Sequence, residues 1–258
     1  AYQLSLILEP INKVMTKELL WELGRVNPAG LSADGKLLYY SVGTPSMSEN
    51  KINSKHYQVS IDGKKIKDLE NTDGLIKDRN VSSDGKFKLS HEAIKINKVL
   101  GKDHYPEMTN SNAYVYDGLD YRHWDTWNDG TFNHVILTNT ETKEKIDLLD
   151  KQPFDSPQKP FGGEEDYIWS PDSKSVIYVS KKKEGTAYAL STNTDLYEYN
   201  LETKETKNLT ETNKGYDTRP SFSPNGELTW LQMKRDGYEA DKNDIIVRYN
   251  EIDMNLTA

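Results

Sequence analysis

The chain contains no cysteine, which excludes disulfides, thiolate metal sites and a cysteine nucleophile. Phenylalanine is scarce, with 5 residues against 16 tyrosines, and hydrophobic residues make up only 35% of the 258 positions. An α/β enzyme with a parallel sheet needs long Val/Ile/Leu runs for strands buried on both faces, and such runs are missing. No apolar stretch approaches the roughly 18 residues needed to span a membrane. The start of the chain has no basic n-region, and Leu4-Ser5-Leu6-Ile7-Leu8 is too short for the core of a signal peptide. Clustered positive charge is also lacking. The net charge is −8, which argues against nucleic acid as a partner. The run Lys181-Lys182-Lys183 reads as a solvated loop. The five histidines (His56, His91, His104, His123, His134) have no metal-ligand spacing, and Gly162-Gly163 is an isolated pair rather than a phosphate loop. No cofactor or metal is expected.

What the chain does have is a repeat. Four segments carry one pattern: Ser32-Ala33-Asp34-Gly35-Lys36, Ser82-Ser83-Asp84-Gly85-Lys86, Ser170-Pro171-Asp172-Ser173-Lys174 and Ser223-Pro224-Asn225-Gly226-Glu227. Each is preceded by an apolar residue and followed by an alternating strand. Asp or Asn caps such a turn through its side chain, and Gly accepts φ > 0, so each copy reads as a tight hairpin. Ser173 departs from the Gly rule and is expected to carry local strain. A second element follows each hairpin. A strand and a polar turn lead to a short strand ending in Asp68-Leu69, Asp147-Leu148, Asn208-Leu209 or Asn255-Leu256. The last two lie in Asn-Leu-Thr sequons, read here as strand ends because they fall at a repeated position.

Four short antiparallel strands per unit, stacked because one unit cannot bury both faces, is the logic of a β-propeller. The fold expected is therefore all-β: a β-propeller of four-stranded antiparallel blades, about four of them, forming an incomplete ring. Blades are expected at about 25–72, 74–150, 152–212 and 215–258, with residues 1–24 as a lead-in. A β-sandwich is the rival, but it would not repeat one turn at one place in a four-strand module. Residues 91–110 read as an irregular or briefly helical excursion on one rim. Open blade edges make edge-to-edge dimerisation an expectation.

Three stretches are more distinctive than the repeat. They are 117–130, with Tyr121-Arg122-His123-Trp124 and Trp127; 160–172, with Glu164-Glu165-Asp166; and 186–197, with Ser191-Thr192-Asn193-Thr194-Asp195. Together with Trp21-Glu22-Leu23-Gly24-Arg25, they resemble the propeller of bacterial dipeptidyl and acylaminoacyl peptidases of the prolyl oligopeptidase family, the dipeptidyl peptidase 5 type in particular. The resemblance implies a seven- or eight-bladed propeller over an α/β-hydrolase domain with a Ser-Asp-His triad. No Gly-x-Ser-x-Gly occurs in this sequence, so the hydrolase domain is expected to be absent from the chain, which alone should not hydrolyse peptides.

The resemblance further implies oligopeptide substrates, a hydrolase domain of the same parent protein as partner, and a periplasmic or secreted location. Candidate substrate-binding residues are Glu164 and Glu165, which by resemblance would hold a substrate α-ammonium, and Tyr121, Arg122, His123 and Trp124 as a channel wall. Each has a plainer reading: a solvated acidic loop for the first two, and aromatic packing between blades with a stacked arginine for the others. Tyr188, Ser191 and Asn193 read equally as funnel lining or as turn hydrogen bonding. The alternatives for function are a stand-alone TolB-like propeller that binds a protein, and a carbohydrate-binding propeller.

Overall fold

The computed structural model describes residues 14–258. The Leu4–Leu8 run and the rest of the first thirteen residues lie outside that range. The chain divides into two compact units, one ending at Asp78 and one beginning at Arg79.

In the first unit a short helix, α1 (Lys17–Glu22), is capped by Thr16, whose hydroxyl accepts the Leu19 N–H at 3.1 Å. A four-stranded antiparallel sheet follows, in the order β1 (Arg25–Leu31), β2 (Leu37–Ser46), β3 (Lys51–Ser60), β4 (Ile66–Leu69). Direct partners share a face, so Val26, Val42 and Lys55 lie on one side with Tyr40, Tyr57, Leu38 and Val59. Tyr39 points to the opposite face and is buried.

The second unit holds three larger sheets. The first contains β5 (Phe87–Lys95), β8 (Thr131–Asn139) and β9 (Lys145–Asp147). The next is β10 (Tyr167–Trp169), β11 (Ser175–Ser180), β12 (Asp195–Asn200) and β13 (Thr206–Asn208). The last is β14 (Asp217–Phe222), β15 (Leu228–Gln232), β16 (Asp244–Tyr249) and β17 (Ile252–Asn255). Between β5 and β8 lie a helical turn, α2 (Gly101–His104), and a small hairpin of β6 (Arg122–His123) and β7 (Thr126–Trp127). The four-stranded antiparallel sheets are propeller blades, as the repeat predicts. The sheet of β5, β8 and β9 differs: its first strand is reduced to one bridge, Val81 to Lys88. There the Asn80 carbonyl accepts the Leu89 N–H and the Trp169 indole N–H, each at 2.8 Å, which ties this edge to the next sheet. The excursion runs later than the sequence suggests, because β5 continues as strand through Lys95.

The hairpins are built by side-chain chemistry. Asp34 accepts from the Ser32 hydroxyl at 2.6 Å and the Lys36 N–H at 3.1 Å, while Ser32 Oγ accepts the Leu37 N–H at 3.0 Å. Asp84 and Asp172 repeat this network with Ser82 and Ser170. Gly35 and Gly85 take φ of +68° and +74°, and Ser173 takes +55° in the same place. Its hydroxyl explains the exception: it donates to Ser83 Oγ at 3.0 Å and accepts the Ser83 N–H at 2.9 Å, joining two blade turns. A glycine would fit the backbone and lose that link.

The fourth turn is one residue shorter. Ser170 N–H bonds to the carbonyl of Ser175, five residues on, but Ser223 N–H bonds to that of Glu227, four residues on. A one-residue change reverses the face of every following side chain. Trp230 therefore occupies the position of Tyr178, not that of Ile177. The cores agree. Val176 and Tyr178 pack with Leu89, Val135, Leu137 and Leu148 of the preceding sheet. Ile177, Val179 and Leu196 pack with Leu228, Trp230 and Ile246 of the following one.

The strand ends are also specified locally. The carboxamides of Asn208 and Asn255 accept the N–H of Thr210 (3.0 Å) and Thr257 (2.8 Å), and those threonine hydroxyls accept the N–H of Leu196 and Ile245. Asn208 also donates to Asp195 at 2.9 Å. Both asparagines thus have structural work at the ends of strands.

Candidate functional site

A cavity of about 800 Å³ lies in the second unit. Its walls come from the excursion between β5 and β8, the loop 153–160 and the segment 183–188 that opens α3 (Gly185–Leu190). Aromatic rings form much of the lining, among them Trp124, Trp127, Phe132 and Tyr188. Ring stacking helps to hold the excursion. Tyr114, Tyr116, Tyr121 and Trp127 form a stack with centroid separations of 5.9–6.3 Å, and the Tyr116 hydroxyl donates to the Asn128 carbonyl at 2.6 Å.

The charged lining is mixed. Asp155 is buried, accepts the Asn133 N–H at 2.8 Å and pairs with Lys159 at 3.1 Å. Burial pushes its carboxyl up, against the pull of Lys159. Asp129 is held below the usual carboxylate range by its hydrogen bonds to Thr131 and by Lys95 and Lys159, against desolvation, the largest single influence on it. Asp117, Asp120 and Glu184 complete the acidic wall, with Lys98 and Lys183 nearby. Burial pushes the Tyr188 hydroxyl up to about 12, so it is a hydrogen-bonding phenol throughout the neutral range.

Of the residues singled out from sequence, His123 and Trp124 line this cavity. Tyr121 and Arg122 stand beside it: Tyr121 stacks on Trp127 at 6.3 Å, and the Arg122 guanidinium lies 5.6 Å from the same ring. The stacked arginine matches the plainer reading, but the two indoles do not pack between blades; Trp124 is 66% and Trp127 47% exposed. Glu164 and Glu165 form a single 3-10 turn before β10, outside the cavity lining. Glu164 is exposed and its carbonyl accepts from Arg79. The third acid of that triplet, Asp166, is buried. Desolvation lifts its carboxyl to about 6, although the Gln158 N–H donates to it at 2.8 Å.

Tyr188 lines the cavity, whereas Ser191 and Asn193 are buried in a loop clamp. The Asp236 carboxylate accepts from the Ser191 hydroxyl at 2.7 Å and from the N–H groups of Thr192 and Asn193. The lysine triplet is not a solvated loop. All three residues are half-buried. Lys181 and Lys182 each lay their ammonium 4.1 Å from a ring centroid, of Tyr188 and Tyr197 respectively. Burial pushes Lys182 down to about 8. Long apolar stems and cation–π contacts let such side chains cover aromatic surface. Asp117, Asp120, Asp155 and Glu184 were not singled out from sequence. Asp117 and Asp120 open the distinctive stretch 117–130, which was the available signal; Asp155 and Glu184 have none.

Among the described residues, no helix is long and apolar enough to cross a membrane. No protein-family model matches the chain. It is 34% identical to dipeptidyl-peptidase 5 of Porphyromonas gingivalis, over 90% of this chain and 41% of that protein. It is 35% identical to dipeptidyl-peptidase 5 of Porphyromonas endodontalis, over 89% of this chain and 40% of that protein. The chain thus spans about two fifths of the length of these curated relatives. Among solved structures, an acylaminoacyl peptidase from Pyrococcus horikoshii superposes with a TM-score of 0.53 at 11% identity, covering 92% of this chain and 40% of that one, a likeness of fold. Along nine tenths of its length the chain is similar in sequence to dipeptidyl-peptidase 5, and its four-stranded antiparallel blades form β-propeller structure.

Proposed function

We propose that this chain is the propeller part of a serine exopeptidase of the dipeptidyl or acylaminoacyl type, and that it gates and positions oligopeptides for a hydrolase domain outside these 258 residues. The observation that carries the reading is the aromatic, mixed-charge cavity in a chain one third identical to dipeptidyl-peptidase 5. A peptide brings carbonyls, N–H groups and side chains of several kinds. A site for it needs apolar walls with a few fixed polar groups, and Trp124, Phe132, Asn133 and Asp155 provide both kinds. Glu164 and Glu165 stay in the proposal as an anchor for a free α-ammonium at a second place, the turn before β10. A periplasmic or secreted location belongs to the same proposal.

The reading is tested with the purified chain. It is expected to bind short peptides with quenching of tryptophan fluorescence, and to release no chromophore from dipeptidyl chromogenic substrates. Inhibitor-sensitive turnover by the chain alone would overturn the assignment of chemistry to another domain.

A further inference from the structure

We infer that the Trp124 end of the cavity is a subsite for a cationic peptide side chain, that of arginine or lysine. This rests on the peptide reading above and adds to it a preference for charge.

The first observation is backbone geometry. His123 pairs with Thr126, so Trp124 and Asp125 form a two-residue hairpin loop. Trp124 takes the first loop position with φ +49°, where the left-handed region favours glycine. A bulky side chain is disfavoured there, and this one gains no burial in return, since it is 66% exposed. Its ring touches His123 (4.8 Å) and Phe161 (5.4 Å), and Phe161 is itself 79% exposed. An unfavourable backbone that displays an indole points to a contact outside the chain.

The second observation is how this wall treats cations. Three other rings of the lining already carry one from the chain itself: Lys159 over Phe132 at 5.7 Å, Arg122 over Trp127 at 5.6 Å and Lys181 over Tyr188 at 4.1 Å. Among the described residues no lysine or arginine lies over Trp124, the most exposed ring of the lining. The same cavity holds the carboxylates of Asp117 and Glu184, whose side chains have no hydrogen-bond or ion-pair partner among the described residues, and that of Asp120. Lys159 is already held by Asp155, while Lys98 and Lys183 remain to meet peptide carbonyls. An indole face that shares one cavity with unpartnered carboxylates offers what a guanidinium or ammonium prefers, and arginine the more so because its plane stacks on the ring.

The experiment uses the purified chain and two tripeptides capped at both ends. One has arginine between two alanines; the other has the uncharged isostere citrulline in its place. Capping removes the terminal amine and carboxylate, so a preference reports the side chain alone. By calorimetry the arginine peptide is expected to bind at least ten-fold tighter, with the advantage shrinking in high salt. Trp124→Gly is expected to erase the advantage without lowering Tm, because glycine suits the backbone. A triple variant, Asp117→Asn, Asp120→Asn and Glu184→Gln, is expected to erase it with the indole in place. Equal binding of the two peptides would overturn the cationic subsite and leave the peptide reading standing. Binding of neither would overturn both, and an arginine preference that survives both variants would overturn this location.

Discussion

Two neighbouring blades, β10–β13 and β14–β17, start from the same hairpin motif and end in different environments. Every residue of β11 is buried, because Val176 and Tyr178 meet one sheet and Ile177 and Val179 another. In β15 only Leu228 and Trp230 are buried, and Thr229 and Leu231 on the other face are half-exposed. The strand-end pair repeats the contrast. Leu196 is fully buried and Leu209 packs against the core, while their counterparts Ile245 and Leu256 are 43% and 61% exposed. Turn chemistry is therefore a property of the copy, whereas burial is a property of its neighbours.

The comparison is broken most severely at Trp230. It is buried, and its indole N–H donates to Asp217 at 2.9 Å. Trp230→Ala is expected to cost about 3–5 kcal/mol in urea unfolding, from lost contacts and the loss of one of the hydrogen bonds to Asp217. Leu231→Ala, next to it on the half-exposed face, is expected to cost less than about 1 kcal/mol. Similar losses at both sites would refute the asymmetry.

Acidity sharpens the contrast next. Desolvation lifts Asp217 to about 6, in spite of hydrogen bonds from Gln232, Asn213 and Trp230, and Asp166 to about 6 as well. The folded state then keeps protons that the unfolded chain has already lost. The contribution of these two groups to stability is expected to be fully present below about pH 4 and to be lost as pH rises through about 6, on the order of 2 kcal/mol per group, against the opposite trend from carboxyls held low such as Asp103. Asp217→Asn should flatten part of that slope in unfolding curves taken across the window; an unchanged slope would remove Asp217 as its source.

A smaller effect concerns the link between blade turns. Ser173→Ala loses both hydrogen bonds to Ser83 while keeping the positive φ, and is expected to cost about 1–2 kcal/mol. Ser173→Gly loses the same bonds but relieves the backbone, and should cost less. Thermal denaturation of the two variants gives their order, and glycine proving the worse would undo the account of this serine.

The smallest expected signal comes from the acidic turn before β10. In a protein that includes the hydrolase domain, Glu164→Gln with Glu165→Gln should raise KM for free-amine peptides a few-fold and leave N-acylated peptides unaffected. An unchanged KM would dismiss the amine anchor.

Much of the fold was readable because its instructions are local. Ser32, Asp34 and Gly35 specify their turn within six residues, and Asn208 and Thr210 end their strand within three. The same legibility misled at the fourth copy, where Glu227 passes for the lysine of the motif although one residue is missing. That omission reveals itself only through the hydrogen bond it shortens. His123 and Trp124, which line the cavity, were readable as candidates because an aromatic cluster on a loop is conspicuous. Asp155 and Glu184 were not, since nothing near them in sequence announces a shared wall, and the lysine triplet was misread because the rings nearest its ammonium groups, Tyr188 and Tyr197, lie seven and fifteen residues away.

The sequence by itself determined the repeated hairpins, the strand ends and the all-β class, since turns and strand ends each carry hydrogen bonds closed within a few residues and each hairpin joins consecutive strands. Only the tertiary structure decided which face of each blade is buried, which acids and rings share the cavity, and that Trp124 stands bare. Those outcomes depend on segments far apart in the chain being brought together, and contact across such distances leaves no periodic trace in the order of residues.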